Sequence, residues 1–168
     1  MQEENYHYKL EPFKSQLEKY LKENQYLIPY HYKDSVSKEI CDMTDLSISR
    51  PVRRMHWGIR VPKSADDNIY VWLDALCNYL TILGKKIICF FFCIMYFLHI
   101  FHSEPPKIDY GQTQQKEEGY FSNFIHVIGK DIVKFHAIYW PAFLLGLGLP
   151  LPQKIIIHDH WILQGVTI

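Results

Sequence analysis

The stretch I-H-V-I-G-K-D-I-V-K-F-H-A-I-Y-W-P-A, residues 125–142, decides the fold of this chain. A short apolar run meets Gly129, Lys130 and Asp131, and apolar residues then recur every three or four positions, the period of a helix face. The pattern predicts a strand, a tight turn and a helix, with Asp131 at the helix start and Pro141 perturbing or ending its far end.

Open α/β sheets bind ligands at such a strand–turn–helix, because the end of the strand lies beside the positive end of the helix dipole. There Asp131 can accept bonds from ligand hydroxyls or amines, and His136 and Trp140, four residues apart on one helix face, can line the same pocket. In a plainer interpretation Asp131 only caps the helix, and His136 and Trp140 are core residues. The residues of this segment leave both interpretations open.

The composition indicates one domain and gives no case for nucleic-acid binding through overall charge. The 168 residues include 18 basic and 18 acidic side chains, so the formal net charge is zero, and 48% of the residues are hydrophobic. This is enough for one real core and too little for two comfortable domains. The 4 cysteines show no zinc-type pairing, so we expect no metal site. Nothing in the sequence argues for disulfides, so we expect a reducing compartment.

The rest of the chain alternates helices with short strands, which indicates an α/β protein with a parallel sheet. Helical spacing predicts helices over residues 5–24 and 35–43, and residues 27–32 between them are predicted to be an extended turn. Apolar and alternating runs predict strands over 45–51, 57–62, 69–72 and 154–158, of which the third runs directly into a helix.

Residues 87–101 are apolar and do not follow this alternation. The run is shorter than the roughly 20 apolar residues that span a bilayer, and it has no amphipathic face. Because Gly84-Lys85 can be encoded by the usual start of an intron, we hypothesise a retained intron from about Lys85 to Ser103. Abundant transcript reads that contain this insert would refute the hypothesis. The alternative is a small membrane-anchored protein in which residues 87–101 insert.

Three motifs, in this order, resemble methionyl-tRNA synthetase, a class I aminoacyl-tRNA synthetase, in its mitochondrial or bacterial form. They are D-L-S-I-S-R (45–50), Y-V-W-L-D-A-L-C-N-Y-L (70–80) and H-V-I-G-K-D-I-V-K-F-H-A-I-Y-W-P-A (126–142). The resemblance implies an internal fragment with the C-terminal half of a Rossmann-like catalytic domain. Its parallel sheet with flanking helices would be incomplete.

The resemblance also implies a division of the chain into segments. Residues 1–44 would be a helical segment from the end of the inserted, connective domain, and residues 45–84 and 120–161 would form the Rossmann-like half. Residues 85–119 would hold the apolar insert and a polar loop, and residues 162–168 a divergent tail.

Two groups of ligand-binding residues and one supporting residue follow from the resemblance. The methionine pocket, an aromatic and aliphatic cage that suits a thioether, would comprise Trp72, Tyr79, Ile132, His136 and Trp140. The adenosine end of ATP or of the methionyl-adenylate would meet Gly129 and Asp131, and Arg50 would support the catalytic face.

The implied activity is the ATP-dependent attachment of methionine to tRNA for protein synthesis, with Mg²⁺ accompanying ATP and no tightly bound cofactor. The H-I-G-H and K-M-S-K-S motifs, which stabilise the phosphates in this family, do not occur in the sequence. We therefore assign no catalytic residue and expect a fragment that neither activates methionine nor binds tRNA. A non-catalytic binding fragment is a further alternative.

The resemblance implies the mitochondrial matrix as the compartment, although the start M-Q-E-E-N-Y is unlike a targeting peptide. A membrane would be a partner only if residues 87–101 are translated and insert.

Overall fold

The computed structural model describes residues 5–62, 64–82, 124–160, 162–163 and 166–167. The chain divides into two compact units, one of residues 1–11 and 44–111 and the other of residues 12–43 and 112–168. The predicted apolar insert, the retained-intron hypothesis and the polar loop concern residues outside the described ranges. Among the helices that are described, none is long and apolar enough to cross a membrane.

The strands are short, and the helices run from seven to twelve residues. In chain order the strands are β1 (His7–Tyr8), β2 (Leu27–Ile28), β3 (Leu46–Ser47), β4 (Ser49–Pro51), β5 (Asp67–Ile69), β6 (Ile125–Gly129), β7 (Lys154–His158), β8 (Ile162–Leu163) and β9 (Val166–Thr167). The α-helices are α1 (Lys14–Glu23), α2 (Tyr32–Asp42), α3 (Val71–Ile82) and α4 (Trp140–Gly146). Glu11–Phe13 and Lys130–Ile132 form 3₁₀ turns, and Phe135–Tyr139 is a π-helical segment.

In the unit of residues 1–11 and 44–111, two antiparallel strand pairs precede α3. β1 pairs with β3, and β4 pairs with β5. The predicted strand 45–51 is two strands, because the backbone changes partner at Ile48, whose N–H donates to Tyr6 and whose carbonyl accepts from Tyr70. The predicted strand 69–72 was wrong in its last residues, since the carbonyl of Tyr70 accepts the N–H of Leu73 and the helix already starts at Val71.

The other unit contains a three-stranded parallel sheet in the order β2–β7–β6. The central strand β7 buries Ile155 and Ile157 and has the bounds predicted for it. Parallel neighbours need a long crossover, and the helical segment of residues 130–146 supplies it between β6 and β7. The predicted α/β class with a parallel sheet and flanking helices is confirmed.

Two residues within the predicted helical segment of residues 1–44 belong to this sheet. Leu27 and Ile28, expected to lie in an extended turn, form β2 and pair in parallel with Ile155 and Ile156. A strand of two residues has no periodicity of its own, so only its pairing with a distant strand identifies it. The predicted helix 5–24 likewise begins later, because residues 7–8 pair with β3.

Candidate functional site

The candidate site lies at the carboxyl ends of β6 and β7, where Gly129 and His158 are paired. Gly129 occupies the N-cap position of the helical segment that begins at Lys130. Because parallel strands end at the same edge of a sheet, the turns after β6 and β7 adjoin there. The predicted residues Gly129 and Asp131 both lie at this edge.

Two side-chain contacts join the turn after β6 to the turn after β7. His160 Nε2 lies 2.8 Å from Asp131 Oδ2, and Lys130 Nζ lies 3.1 Å from Asp159 Oδ1. The hydrogen bond and negative charge of Asp159 raise the pKa of the exposed Lys130 ammonium. Asp131 is therefore not the cap of its helix: Gly129 holds that position, and the Asp131 carboxylate meets His160 while 69% of its side chain remains exposed.

Neither backbone nor packing requires a glycine at position 129. Its φ of −72° and ψ of 152° are an extended conformation that any residue adopts. A Cβ at Gly129 would lie 3.8 Å from His158 Cε1, an ordinary van der Waals contact. A requirement for glycine here would therefore come from a bound molecule that approaches the backbone closely.

Behind this edge, aromatic and imidazole rings are packed inside the unit. His136 is 3% exposed and Trp140 1%, so burial places both in the core whether or not a ligand reaches them. Ile132, at the end of the 3₁₀ turn, is half-buried.

His126 belongs to the same ring cluster and had no role in the sequence interpretation. Its ring centroid lies 4.6 Å from Phe124, 5.3 Å from His136 and 6.5 Å from Trp140, and each pair is edge-to-face. Along β6 the side chains of His126 and Ile128 are buried and those of Ile125 and Val127 are exposed. This period-two alternation in the sequence is the signal that could have identified His126 as an inward-facing residue.

The two buried histidines are neutral at neutral pH. Burial, together with the charge of His136, lowers the pKa of His126 to about 3. Burial also lowers the pKa of His136, and the hydrogen bond to the Ile132 carbonyl partly offsets this by raising it. His136 Nδ1–H donates to that carbonyl at 3.0 Å, so in the neutral ring Nε2 is an acceptor.

The helix that carries His136 and Trp140 widens between them. The N–H of Trp140 donates to the carbonyl of Phe135, five residues back, as in a π-helix. Such widened turns frequently occur at functional sites. The prediction that Pro141 perturbs the helix is confirmed, but Pro141 does not end it, since α4 continues to Gly146.

Three predicted site residues belong to the other unit. Trp72 and Tyr79, about two turns apart on α3, are half-buried, and burial raises the pKa of Tyr79. The guanidinium of Arg50 lies 4.1 Å from the ring centroid of Tyr70 and donates to Ser47 Oγ at 2.7 Å. Arg50 is thus fixed beside the start of α3.

Within the described ranges, no group of three or more histidine, cysteine or acidic side chains is arranged to hold a metal ion.

The whole chain, residues 1–168, matches the family described as tRNA synthetases class I (M). It is 40% identical over 168 residues to the probable mitochondrial methionine–tRNA ligase of Schizosaccharomyces pombe, a match that covers 99% of this chain and 27% of that one. It is 39% identical over 168 residues to the human mitochondrial methionine–tRNA ligase, covering 97% and 23%. The chain thus spans about a quarter of the length of these relatives.

Among solved structures, the chain is similar to Mycobacterium tuberculosis methionyl-tRNA synthetase bound by methionyl-adenylate. The TM-score is 0.71 at 32% sequence identity, and the match covers 95% of this chain and 27% of that one.

Proposed function

The chain belongs to the class I tRNA synthetases of the methionine type, and we propose that residues 129–140 bind methionyl-adenylate within a methionine–tRNA ligase. The family is enzymatic and uses ATP, and the predicted fold class, a fragment of the class I catalytic domain, is confirmed. Several relatives are named as mitochondrial, which suggests a mitochondrial location, and we propose the matrix.

One observation carries the proposal: a single helical segment presents a carboxylate at its exposed start and buried rings further along. Asp131 is in the first turn, whereas His136 and Trp140 are inside the unit. A carboxylate near a helix start can accept bonds from ribose hydroxyls, and a cluster of rings suits a thioether. Methionyl-adenylate, which the Mycobacterium tuberculosis structure binds, contains both of these chemical groups.

The proposed roles of the residues in this unit follow from their positions. Gly129 lets the adenosine approach the backbone, Asp131 accepts its ribose hydroxyls, and Ile132, His136 and Trp140 contact the methionine side chain. An apolar cage distinguishes a substrate from one lacking a methylene by only about 1–3 kcal/mol, so the neutral imidazole of His136 adds a polar group for selectivity.

The roles of Trp72 and Tyr79 in binding methionine, and of Arg50 in supporting the catalytic face, are proposals that come from the resemblance of their motifs. Burial of Tyr79 and the fixed guanidinium of Arg50 are compatible with these roles.

The proposed reaction of the whole enzyme has two steps. The methionine carboxylate attacks the α-phosphate of ATP, which forms methionyl-adenylate and releases pyrophosphate; a hydroxyl of the tRNA terminal adenosine then attacks the carbonyl carbon and releases AMP. In both steps the residues of this chain bind and orient the adenylate. Mg²⁺ would be held mainly by the ATP phosphates, the usual arrangement for this ion.

Binding of a non-hydrolysable methionyl-adenylate analogue to the purified chain, measured by titration calorimetry, tests the proposal. We expect binding that Asp131→Asn weakens by about tenfold, because a charged hydrogen bond to the ribose is lost. Asp34→Asn is a matched control, since Asp34 also lies in the first turn of a helix, α2, and is exposed. Absence of binding, or equal losses in the two variants, would refute the proposal.

The membrane-anchored alternative has no support in the comparisons, because the family match extends through residues 87–101.

A further inference from the structure

We propose that His160 is a positioning residue for Asp131, which it holds in the orientation that accepts the ribose hydroxyls of the adenylate. The inference rests on the proposed function of Asp131 and extends it to a residue from the next strand end.

The contact is direct and uses one carboxylate oxygen. His160 Nε2 lies 2.8 Å from Asp131 Oδ2, within hydrogen-bond distance. A ring with a proton on Nε2 donates this bond whether the imidazole is neutral or charged, so the contact does not depend on the charge of His160. The second carboxylate oxygen, Oδ1, is the one we assign to the ribose.

Asp131 needs such a partner because its side chain is 69% exposed, whereas that of His160 is 33% exposed. An exposed aspartate samples several rotamers, and a ligand that selects one of them loses affinity. The hydrogen bond from the less exposed His160 holds Asp131 in the rotamer that accepts the ribose hydroxyls before the ligand arrives.

The turn that carries His160 is itself held in place. His158 Nδ1–H donates to the carbonyl of Asp159 at 2.9 Å, and Asp159 Oδ1 pairs with Lys130 Nζ at 3.1 Å. The Lys130–Asp159 and Asp131–His160 pairs therefore join the same two turns. Only the second pair includes Asp131, the residue proposed to bind the ribose. A variant that removes the first pair is a matched control for general loosening of the edge.

The test compares two probes on the full chain: the non-hydrolysable methionyl-adenylate analogue and its 2′,3′-dideoxy counterpart. The ratio of their dissociation constants measures how well the protein recognises the ribose hydroxyls, which a merely structural role for His160 would leave unchanged. We expect His160→Ala to reduce this ratio about fivefold. His160→Gln, whose amide N–H can replace Nε2–H, should restore it to within about twofold of the original.

Asp159→Asn should leave the ratio within about twofold of the original. An unchanged ratio in His160→Ala, or an equal reduction in Asp159→Asn, would overturn the inference while leaving the proposed function intact. If the unmodified chain binds both probes equally, or Asp131→Asn does not change the ratio, the proposed role of Asp131 fails first and the inference fails with it.

Discussion

The hydroxyl of Tyr26 donates a hydrogen bond to the carbonyl oxygen of Ala137 at 3.3 Å, which joins the residue before β2 to the π-helical segment. In a regular α-helix this carbonyl would accept the N–H of the residue four positions on, but that residue is Pro141, which has none. Tyr26 thus supplies a donor where the helix widens beside His136. Burial raises the pKa of Tyr26, so its hydroxyl keeps the proton that it donates.

Replacing Tyr26 with Phe should lower the free energy of unfolding by about 1 kcal/mol, because a buried hydrogen bond is lost and the ring is kept. Urea unfolding of the full chain measures this. Tyr30→Phe is the control, since Tyr30 is exposed and its hydroxyl bonds only to Lys33 in the described contacts. Equal losses in the two variants would contradict a special role for the Tyr26 bond.

The buried His126 should make the protein less stable as the pH falls from 6.5 to 5. Its pKa is about 3 in the folded protein and 6.5 in the unfolded chain, so the unfolded chain binds more protons in this range. The free energy of unfolding contributed by this histidine is fully present above pH 6.5 and is lost as the pH falls towards 3, by at most about 1.4 kcal/mol per pH unit.

His126→Gln should therefore flatten the pH dependence of urea unfolding between pH 6.5 and 5, where most carboxylates remain ionised. His31→Gln, at an exposed histidine of the same unit, should leave the slope as it was. If the His126→Gln slope equals that of the unmodified chain, His126 is not the origin of the effect.

Gly148 should contribute to stability through its backbone conformation. Its φ is +65°, and it follows α4 in a Schellman motif, in which Leu149 N–H donates to the Leu144 carbonyl and Gly148 N–H to the Leu145 carbonyl. A Cβ there meets no atom within 4 Å, so Gly148→Ala would cost only the backbone strain, about 1 kcal/mol. Urea unfolding should show this loss, while affinity for the adenylate analogue should remain unchanged.

Gly129 should show the opposite behaviour. Gly129→Ser keeps a favourable N-cap residue, and its Cβ would lie 3.8 Å from His158 Cε1, so the free energy of unfolding should change by less than about 0.5 kcal/mol. The added side chain would meet a ligand that lies against the backbone, and we expect about a tenfold loss of affinity for the adenylate analogue. Unaltered affinity in calorimetry would argue against adenosine lying at Gly129.

The elements with a strong periodic pattern were predictable, and those whose bounds depend on distant partners were not. β7 was predicted with its bounds, and a strand was predicted where β6 lies, because short apolar runs that end at polar residues are visible in a short window. The change from α- to π-helix at Phe135 was missed, since a widening of one turn leaves the spacing of apolar residues almost unaltered. The strand β2 was missed because two residues carry no pattern.

The sequence by itself determined the α/β class, the strand–turn–helix that brings Gly129 and Asp131 together, and the family, because each rests on residues that are close neighbours along the chain. Only the tertiary structure decided that Asp131 meets His160, that His126 packs against His136, and that Leu27 and Ile28 pair with β7. These contacts arise from the register of parallel strands and from the edge at which they end. That register depends on pairing between residues far apart in the chain, which local periodicity does not encode.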